Sequence, residues 1–475
     1  MENLTPASRR QFLKLSGLAG AASFLSSSAA VASASTAGRG AEHSSGQAKN
    51  VIFLVVDGLS NGTVGLAHHW KLRHQQTPLN WMQLFEREDL QRAYQDTASA
   101  SSPVTDSSAA ASSWGCGQRI DNGAVNVDAA GESLKPIFSY AKEAGKATGL
   151  VTTCRVTHAT PAGFAANVPE RNMEDEIAQQ YLEREVDVIL GGGARHFTQK
   201  REDGSVIQYI PRFVDKGYTY VRNRTELTEA AAGQGPLIGL FAKSHIPYAI
   251  DRENQQPRED TPSLVDMFRV ALARLDRAKD GFVLQVEGGR VDHAGHANDA
   301  GAILHEFLEF DACIPLALEY IDAHPDTMLV ITTDHGTAGC QLNGAGAGYK
   351  DSGPALDRIN QLKYSFEWLH SRLMEAKKFD PKYVKMAFGI DATPEQAAIV
   401  QRAIKAKAKY LSGAFIEAFG AQLQAMTAVG WTSGNHTSEC VELFAFGPGS
   451  ETVPAFVRNY ELFGILTKSL GIQTS

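Results

Sequence analysis

Short, almost wholly apolar runs separated by amphipathic stretches are the feature that most narrows what this chain can fold into. Residues 51–56, 147–153, 186–190, 282–286, 328–333 and 443–446 are rich in Val, Ile, Leu or Phe and end in Gly or a polar cluster, the pattern of buried strands. A run without polar alternation is covered on both faces, as strands of a parallel sheet are. Between these runs, residues 174–185, 264–276 and 300–323 read as helices. The alternation predicts an α/β fold, a three-layer α/β/α sandwich whose large, mostly parallel central sheet carries helices on both faces. One segment breaks the rhythm. Residues 345–427, led in by the Gly-rich stretch 344–348, are helical and rich in Lys and Ala. They are expected to form an insertion packed over the sheet's edge or the site, and not a separate folding domain.

The N-terminus reads as a targeting segment. Ser8-Arg9-Arg10-Gln11-Phe12-Leu13-Lys14 precedes a modest apolar stretch, residues 15–25, and small-residue cleavage options at Ala30-Val31-Ala32 and Ala32-Ser33-Ala34. This predicts a twin-arginine signal peptide over residues 1–34, a flexible leader over 35–49 and a catalytic domain over 50–475. Export through the twin-arginine machinery would place the mature protein in the periplasm or outside the cell, free of the membrane after processing. The five cysteines show no CxxC pattern, and a route that carries folded proteins favours reduced, buried thiols over a disulfide framework. The net charge of −8, with no compensating Lys/Arg run, argues against nucleic acid as a specific partner. An acidic chain still binds anions if metal ions supply the local positive charge.

In open α/β sheets, ligands gather at the carboxyl ends of the strands. Here those ends finish in metal-ligating residue types: Asp57-Gly58 after 51–56; Glu287 with Asp292 and His296 after 282–286; Asp334-His335 after 328–333; and, more loosely, His436 ahead of 443–446. Asp292 and His296 are four apart, so a helix puts both on one face toward a shared cation. Together these residues supply four carboxylates and three imidazoles, enough for two or three divalent cations. Nitrogen and oxygen donors without thiolate suit Zn²⁺, and the carboxylate-rich positions suit Mg²⁺. Ser107 follows Asp106 and opens an alanine-rich run. A serine there places its hydroxyl at the positive end of a helix, where backbone N–H groups favour a dianionic phosphoseryl group. A neighbouring cation would lower the hydroxyl's pKa and remove the need for a general base.

Over nearly all of the expected mature chain, these residues resemble the alkaline phosphatase family. The stretches VIFLVVDGLS, VTDSSAAAS, VTTCRVTHATPAGFAANVPERN, DVILGGGARHF, LIGLFAKSHIPY, FVLQVEGGRVDHAGH, ITTDHGT and GNHTSECVELFAFGPG carry the likeness, in the family's order and with compatible spacings. The resemblance implies an alkaline phosphatase-like fold and hydrolysis of phosphate monoesters at alkaline pH through a phosphoserine on Ser107. It implies that Asp57 bridges the second zinc and the magnesium. Asp334 and His335 would hold the zinc that activates Ser107, and Asp292, His296 and His436 the other zinc. Thr160 and Glu287 would form the magnesium shell, and Arg171 would grip two phosphate oxygens. Family members carry either Asp and Lys, or two histidines, at the positions of His158 and His293, and this chain has both histidines. That departure makes the third site open to Zn²⁺ in place of Mg²⁺. The usual assembly of relatives is a homodimer. His68, His69, His245 and His305 are expected to be surface or core residues, not ligands.

Two rivals remain at this level. A phosphodiesterase or sulfatase of the same broad superfamily would share the two-metal core, yet a sulfatase needs a C/S-x-P-x-R context that Ser107-Ser108-Ala109-Ala110-Ala111 does not supply. A non-catalytic envelope protein binding metal or phosphate would keep the ligands and have no use for Ser107.

Overall fold

The computed structural model describes residues 47–200, 204–255 and 260–474. The expected signal peptide, and the expected leader up to residue 46, lie outside the described residues. The end of that leader belongs to the fold: the amide of Ala48 donates to the carbonyl of Ser469, and that of Lys49 to Asp326.

Ten strands form the central sheet. In chain order they are β1 (Asn50–Val56), β2 (Gln91–Asp96), β3 (Ala147–Arg155), β4 (Val188–Gly192), β5 (Thr219–Val221), β6 (Leu237–Leu240), β7 (Phe282–Gly288), β8 (Thr327–Thr333), β9 (Val441–Phe446) and β10 (Phe456–Arg458). Their spatial order is β10-β2-β9-β8-β1-β7-β3-β4-β6-β5. Every pairing is parallel except those of β9, which runs antiparallel to both β8 and β2. The strands with the most continuous apolar runs (β1, β7, β8) lie side by side at the centre.

Side-chain alternation sends each strand's residues into two separate cores. Ile52, Leu54 and Val56 join one hydrophobic cluster with Leu284, Val286, Leu329 and Ile331. Val51, Phe53 and Val55 join another with Val283, Met328 and Val330. Helix Leu264–Leu275 packs in the first cluster, and helices Ser107–Cys116 and Glu174–Glu183 bury residues in the second. These are the three layers. The apolar residues of 345–427, among them Phe366, Leu369, Phe388, Phe415 and Phe419, belong to the first cluster and build no core of their own.

Three expectations need correction. The helix expected over 300–323 is two, Ala300–Asp311 and Cys313–Ala323. Pro315 has no N–H to donate and its ring crowds the carbonyl four residues back, that of Asp311, which breaks the ladder there. The strand expected over 186–190 runs Val188–Gly192 instead. All five cysteines are free, as expected, but Cys440 is exposed and Cys116 only half-buried.

Candidate active site

The carboxyl ends of β1, β7 and β8 are adjacent, so the residues that follow them meet. Asp57 follows β1, Glu287 lies near the end of β7, and Asp334 and His335 follow β8; all are fully buried. Gly58 turns the chain at φ 75°, and a Cβ on it would lie 2.6 Å from the Asp292 Cα. Only glycine both adopts this backbone and allows that approach. Its amide donates to Asp334 Oδ1 at 2.9 Å, so the turn after β1 also fixes a carboxylate after β8. Helix Arg290–His296 presents Asp292 and His296 on one face, with His296 Nε2 3.4 Å from Asp292 Oδ1. A two-residue pairing of Gly336–Thr337 with His436–Thr437 sets His436 opposite Thr337.

Ring protons can be assigned from the acceptors. His296 Nδ1 lies 2.7 Å from the Gly434 carbonyl and His436 Nδ1 2.8 Å from that of Thr105. A carbonyl only accepts, so both rings donate from Nδ1 and turn the lone pair of Nε2 inward. Those two Nε2 atoms are 3.0 Å apart, and that of His436 is also 3.4 Å from Asp292 Oδ1. Two acceptors and a carboxylate facing one point require a proton or a metal ion between them. A second convergence involves His335, whose Nδ1 is 3.3 Å from the Thr337 hydroxyl while that hydroxyl donates to Asp292 at 2.6 Å. His335 Nε2 thus faces Asp334 Oδ2 at 3.3 Å and Asp57 Oδ1 at 3.7 Å. Asp57, His158 and Glu287 form a third group, with Thr160 fully buried beside Glu287.

Three of these carboxylates have a protein donor for only one of their two oxygens. Asp57 Oδ2, Glu287 Oε1 and Asp334 Oδ2 are buried without a hydrogen-bond partner, a costly state for a carboxylate unless a cation occupies the gap. Burial raises Asp57, and the nearby charges of Asp334, Asp292 and Glu287 raise it further. Burial pushes Glu287 up to about 8 and Asp334 up to about 7. Burial opposes a charged His436, yet the bond to Asp292 carries it up to about 9. Without metal, protons hold the places that the donor set suits to divalent ions.

Ser107 is the first residue of helix Ser107–Cys116, capped by the Asp106 carboxylate, which accepts from the Ala109 amide at 2.9 Å. Its Oγ lies 3.5 Å from Asp57 Oδ1 and 3.4 Å from His335 Nε2. Arg171 donates from Nη1 to Asp106 Oδ2 at 3.0 Å, and its Nη2 is 3.2 Å from His158 Nε2. The Ser108 hydroxyl donates to both oxygens of Asp106 and so braces the cap. His293 sits with its ring 5.5 Å from that of His158. All the residues singled out from the sequence gather here. Thr337, which orients Asp292 and His335, and Thr152, which donates to Glu287, were not singled out, since a threonine in or beside a strand carries no distinguishing mark in sequence.

A serine at a helix's positive end, facing carboxylate-imidazole clusters and a guanidinium, is the equipment of a metal-dependent phosphoryl-transfer enzyme. Residues 48–472 match the alkaline phosphatase family, and the chain belongs to it. Alkaline phosphatase 3 of Bacillus subtilis is 32% identical over 434 residues, 89% of each chain, and alkaline phosphatase 4 of the same organism is 32% identical over 374 residues, 77% of each. Among solved structures, the alkaline phosphatase of Thermus thermophilus is 37% identical with a TM-score of 0.81, over 90% of this chain and 93% of that one. A cold-active alkaline phosphatase from a psychrophilic Shewanella is 27% identical with a TM-score of 0.73, over 89% of this chain and 99% of that one. The chain is therefore a metal-dependent hydrolase of phosphate monoesters.

Proposed function

We propose that hydrolysis runs through a phosphoserine on Ser107, with metals held by three groups: Asp57, Asp334 and His335; Asp292, His296 and His436; and Asp57, Glu287 and Thr160 with His158 beside them. The observation that carries this reading is the place of the Ser107 hydroxyl, 3.5 Å from Asp57 and 3.4 Å from His335 at a capped helix start. Imidazole-containing groups suit Zn²⁺ and the third suits Mg²⁺, with His158 making Zn²⁺ acceptable there too. When bound, the ions supply Lewis acidity that lowers the serine pKa and offsets charge on the phosphoryl group.

The chain's own groups do the rest. Ser107 Oγ attacks phosphorus, its bond to phosphorus forms as that to the substrate alcohol breaks, and the helix N-terminus favours the resulting dianion. Arg171 offers a guanidinium fork to two phosphoryl oxygens, and Asp106 aims it. Water then attacks phosphorus from the opposite side, freeing Ser107 and inorganic phosphate with net retention at phosphorus. The N-terminal segment would export the folded protein by the twin-arginine route. Among the described residues no helix is long and apolar enough to cross a membrane.

Hydrolysis of p-nitrophenyl phosphate from pH 6 to 11, with the bis-ester alongside, tests the reading. Fast monoester turnover at alkaline pH, lost with chelator and regained with Zn²⁺ and Mg²⁺, is expected. Dominant bis-ester turnover would mean that Arg171 and the third site do not act as proposed.

A further inference from the structure

Outside the three groups lies a second convergence of metal-ligating side chains. Cys154 stands near the carboxyl end of β3, His245 on the loop after β6, and His293 on the helix after β7. One donor atom from each lies within 4.8 Å of the others. We infer that Cys154, His245 and His293 form a fourth cation site, selective for a thiophilic divalent ion such as Zn²⁺.

The spacing fits such an ion. Zinc bonds of about 2.3 Å to sulfur and about 2.0 Å to nitrogen in tetrahedral geometry set the two ligands about 3.5 Å apart. Cys154 Sγ and His293 Nδ1 are 3.7 Å apart. The rings of His245 and His293 lie 4.4 Å apart, centroid to centroid. His245 Nδ1 is buried and has no hydrogen-bond partner. The seat of the sulfur is made by Gly289, where a Cβ would come within 2.7 Å of Cys154 Sγ. Any larger residue there would displace the thiol from its position facing His293. As whole residues, His245 and His293 are only partly covered, while His245 Nδ1 itself is buried.

The protonation states balance with one rearrangement. Arg155 Nη1 contacts His245 Nε2, and a donor at that nitrogen places the ring's own proton on Nδ1, where nothing accepts it. An ion at Nδ1 moves the ring proton to Nε2 and displaces only the Nη1 contact. Arg155 keeps its bonds to Glu174 through Nε and Nη2, both 2.7 Å. The thiol gives up its proton to solvent, so one proton leaves per ion bound. Sulfur with two imidazoles favours Zn²⁺ or Co²⁺ over Mg²⁺, so this site differs in preference from the carboxylate-rich third group. The inference does not depend on the proposed catalytic roles.

No residue of the three groups above contributes sulfur, so a thiolate signature that depends on Cys154 separates this site from them and from the other four free cysteines. The full protein is loaded with Co²⁺ in place of Zn²⁺ and its near-ultraviolet spectrum recorded with metal analysis. A thiolate-to-cobalt charge-transfer band is expected in the parent protein. It is expected to vanish in Cys154→Ser, which retains the other four cysteines, and to fall at least several-fold in His245→Ala. Bound metal should drop by one ion per chain in Cys154→Ser. Absence of the band in the parent protein at saturating Co²⁺ would overturn the inference whatever the variants do. So would an unchanged band and metal content in Cys154→Ser or, should that variant fail to fold, in His245→Ala.

Discussion

Two regions of this molecule bury carboxylates, and they do so in opposite ways. Beneath the 345–427 insertion, Asp251 accepts from the amide and hydroxyl of Ser365, Asp299 from the amides of Ala302 and Phe366, and Glu306 from the amide of Ala249. At the carboxyl edge of the sheet, Asp57, Glu287 and Asp334 each keep an oxygen with no partner. Burial raises the acids in both places: Asp251 to about 7, Asp299 to about 6 and Glu306 to about 8 in the one, Glu287 to about 8 and Asp334 to about 7 in the other. A raised pKa alone therefore does not distinguish a site from a structural clamp. The fate of the lone pairs does. Where amides fill them, the acid clamps neighbouring elements, as Asp251 and Asp299 hold Ser365 and Phe366 of the insertion; where nothing fills them, the acid awaits a cation.

The largest expected effect is on turnover. Ser107→Ala should lower kcat for p-nitrophenyl phosphate by at least about 10³-fold with metal content unchanged, whereas Asp299→Ala should leave the turnover of the folded protein within about twofold, since it acts on stability alone. Equal losses in both variants would erase the distinction.

The next effect is on metal affinity and follows from the sign of the shifts. Acids raised in the folded state bind protons more tightly there than in the unfolded chain. The stability they give the metal-free fold is thus full below about pH 4 and declines as pH rises through about 7 to 8. Cations must expel these protons, and the one carried by His436 up to about 9. Affinity should accordingly climb about tenfold per pH unit for each proton expelled. Titration calorimetry in two buffers of different ionisation enthalpy reads the proton count. An affinity independent of pH from 6 to 8 would contradict the assignment of Glu287 and Asp334 as ligands.

The smallest effects, on stability, sharpen the comparison most. Asp57→Asn should stabilise the metal-free chain by about 1 kcal/mol, because folding no longer has to protonate a buried carboxyl that is ionised in the unfolded chain, and should destabilise the metal-loaded one. Asp299→Ala should destabilise both alike, by about 1–3 kcal/mol for each amide left unpaired. Thermal melts with and without chelator distinguish the two patterns.

What the sequence revealed follows the same physical division. Central strands such as Val51 to Val56 were legible because burial on both faces leaves an unbroken apolar run. β2 alternates buried and exposed residues, and β5 and β10 have three residues each; such short or half-exposed pieces take their identity from pairing. The strand order, and the antiparallel placing of β9, depend on contacts that no local pattern records. The site was legible where ligand residues directly follow an apolar run, as Asp57 and Asp334 do. His245 was read as a surface or core residue because β6, the strand that delivers it, is four residues long and was not recognised. The structure places the His245 ring 4.4 Å from that of His293.

The central claim is that the orphaned carboxylates and inward-facing imidazoles serve Ser107 and no other nucleophile. Mass spectrometry of protein quenched in acid during turnover of a phosphate monoester tests it most directly. A single phosphoryl group on Ser107, absent from Ser107→Ala, is the predicted result. A phosphoryl group on another side chain, or full turnover by Ser107→Ala, would contradict the account.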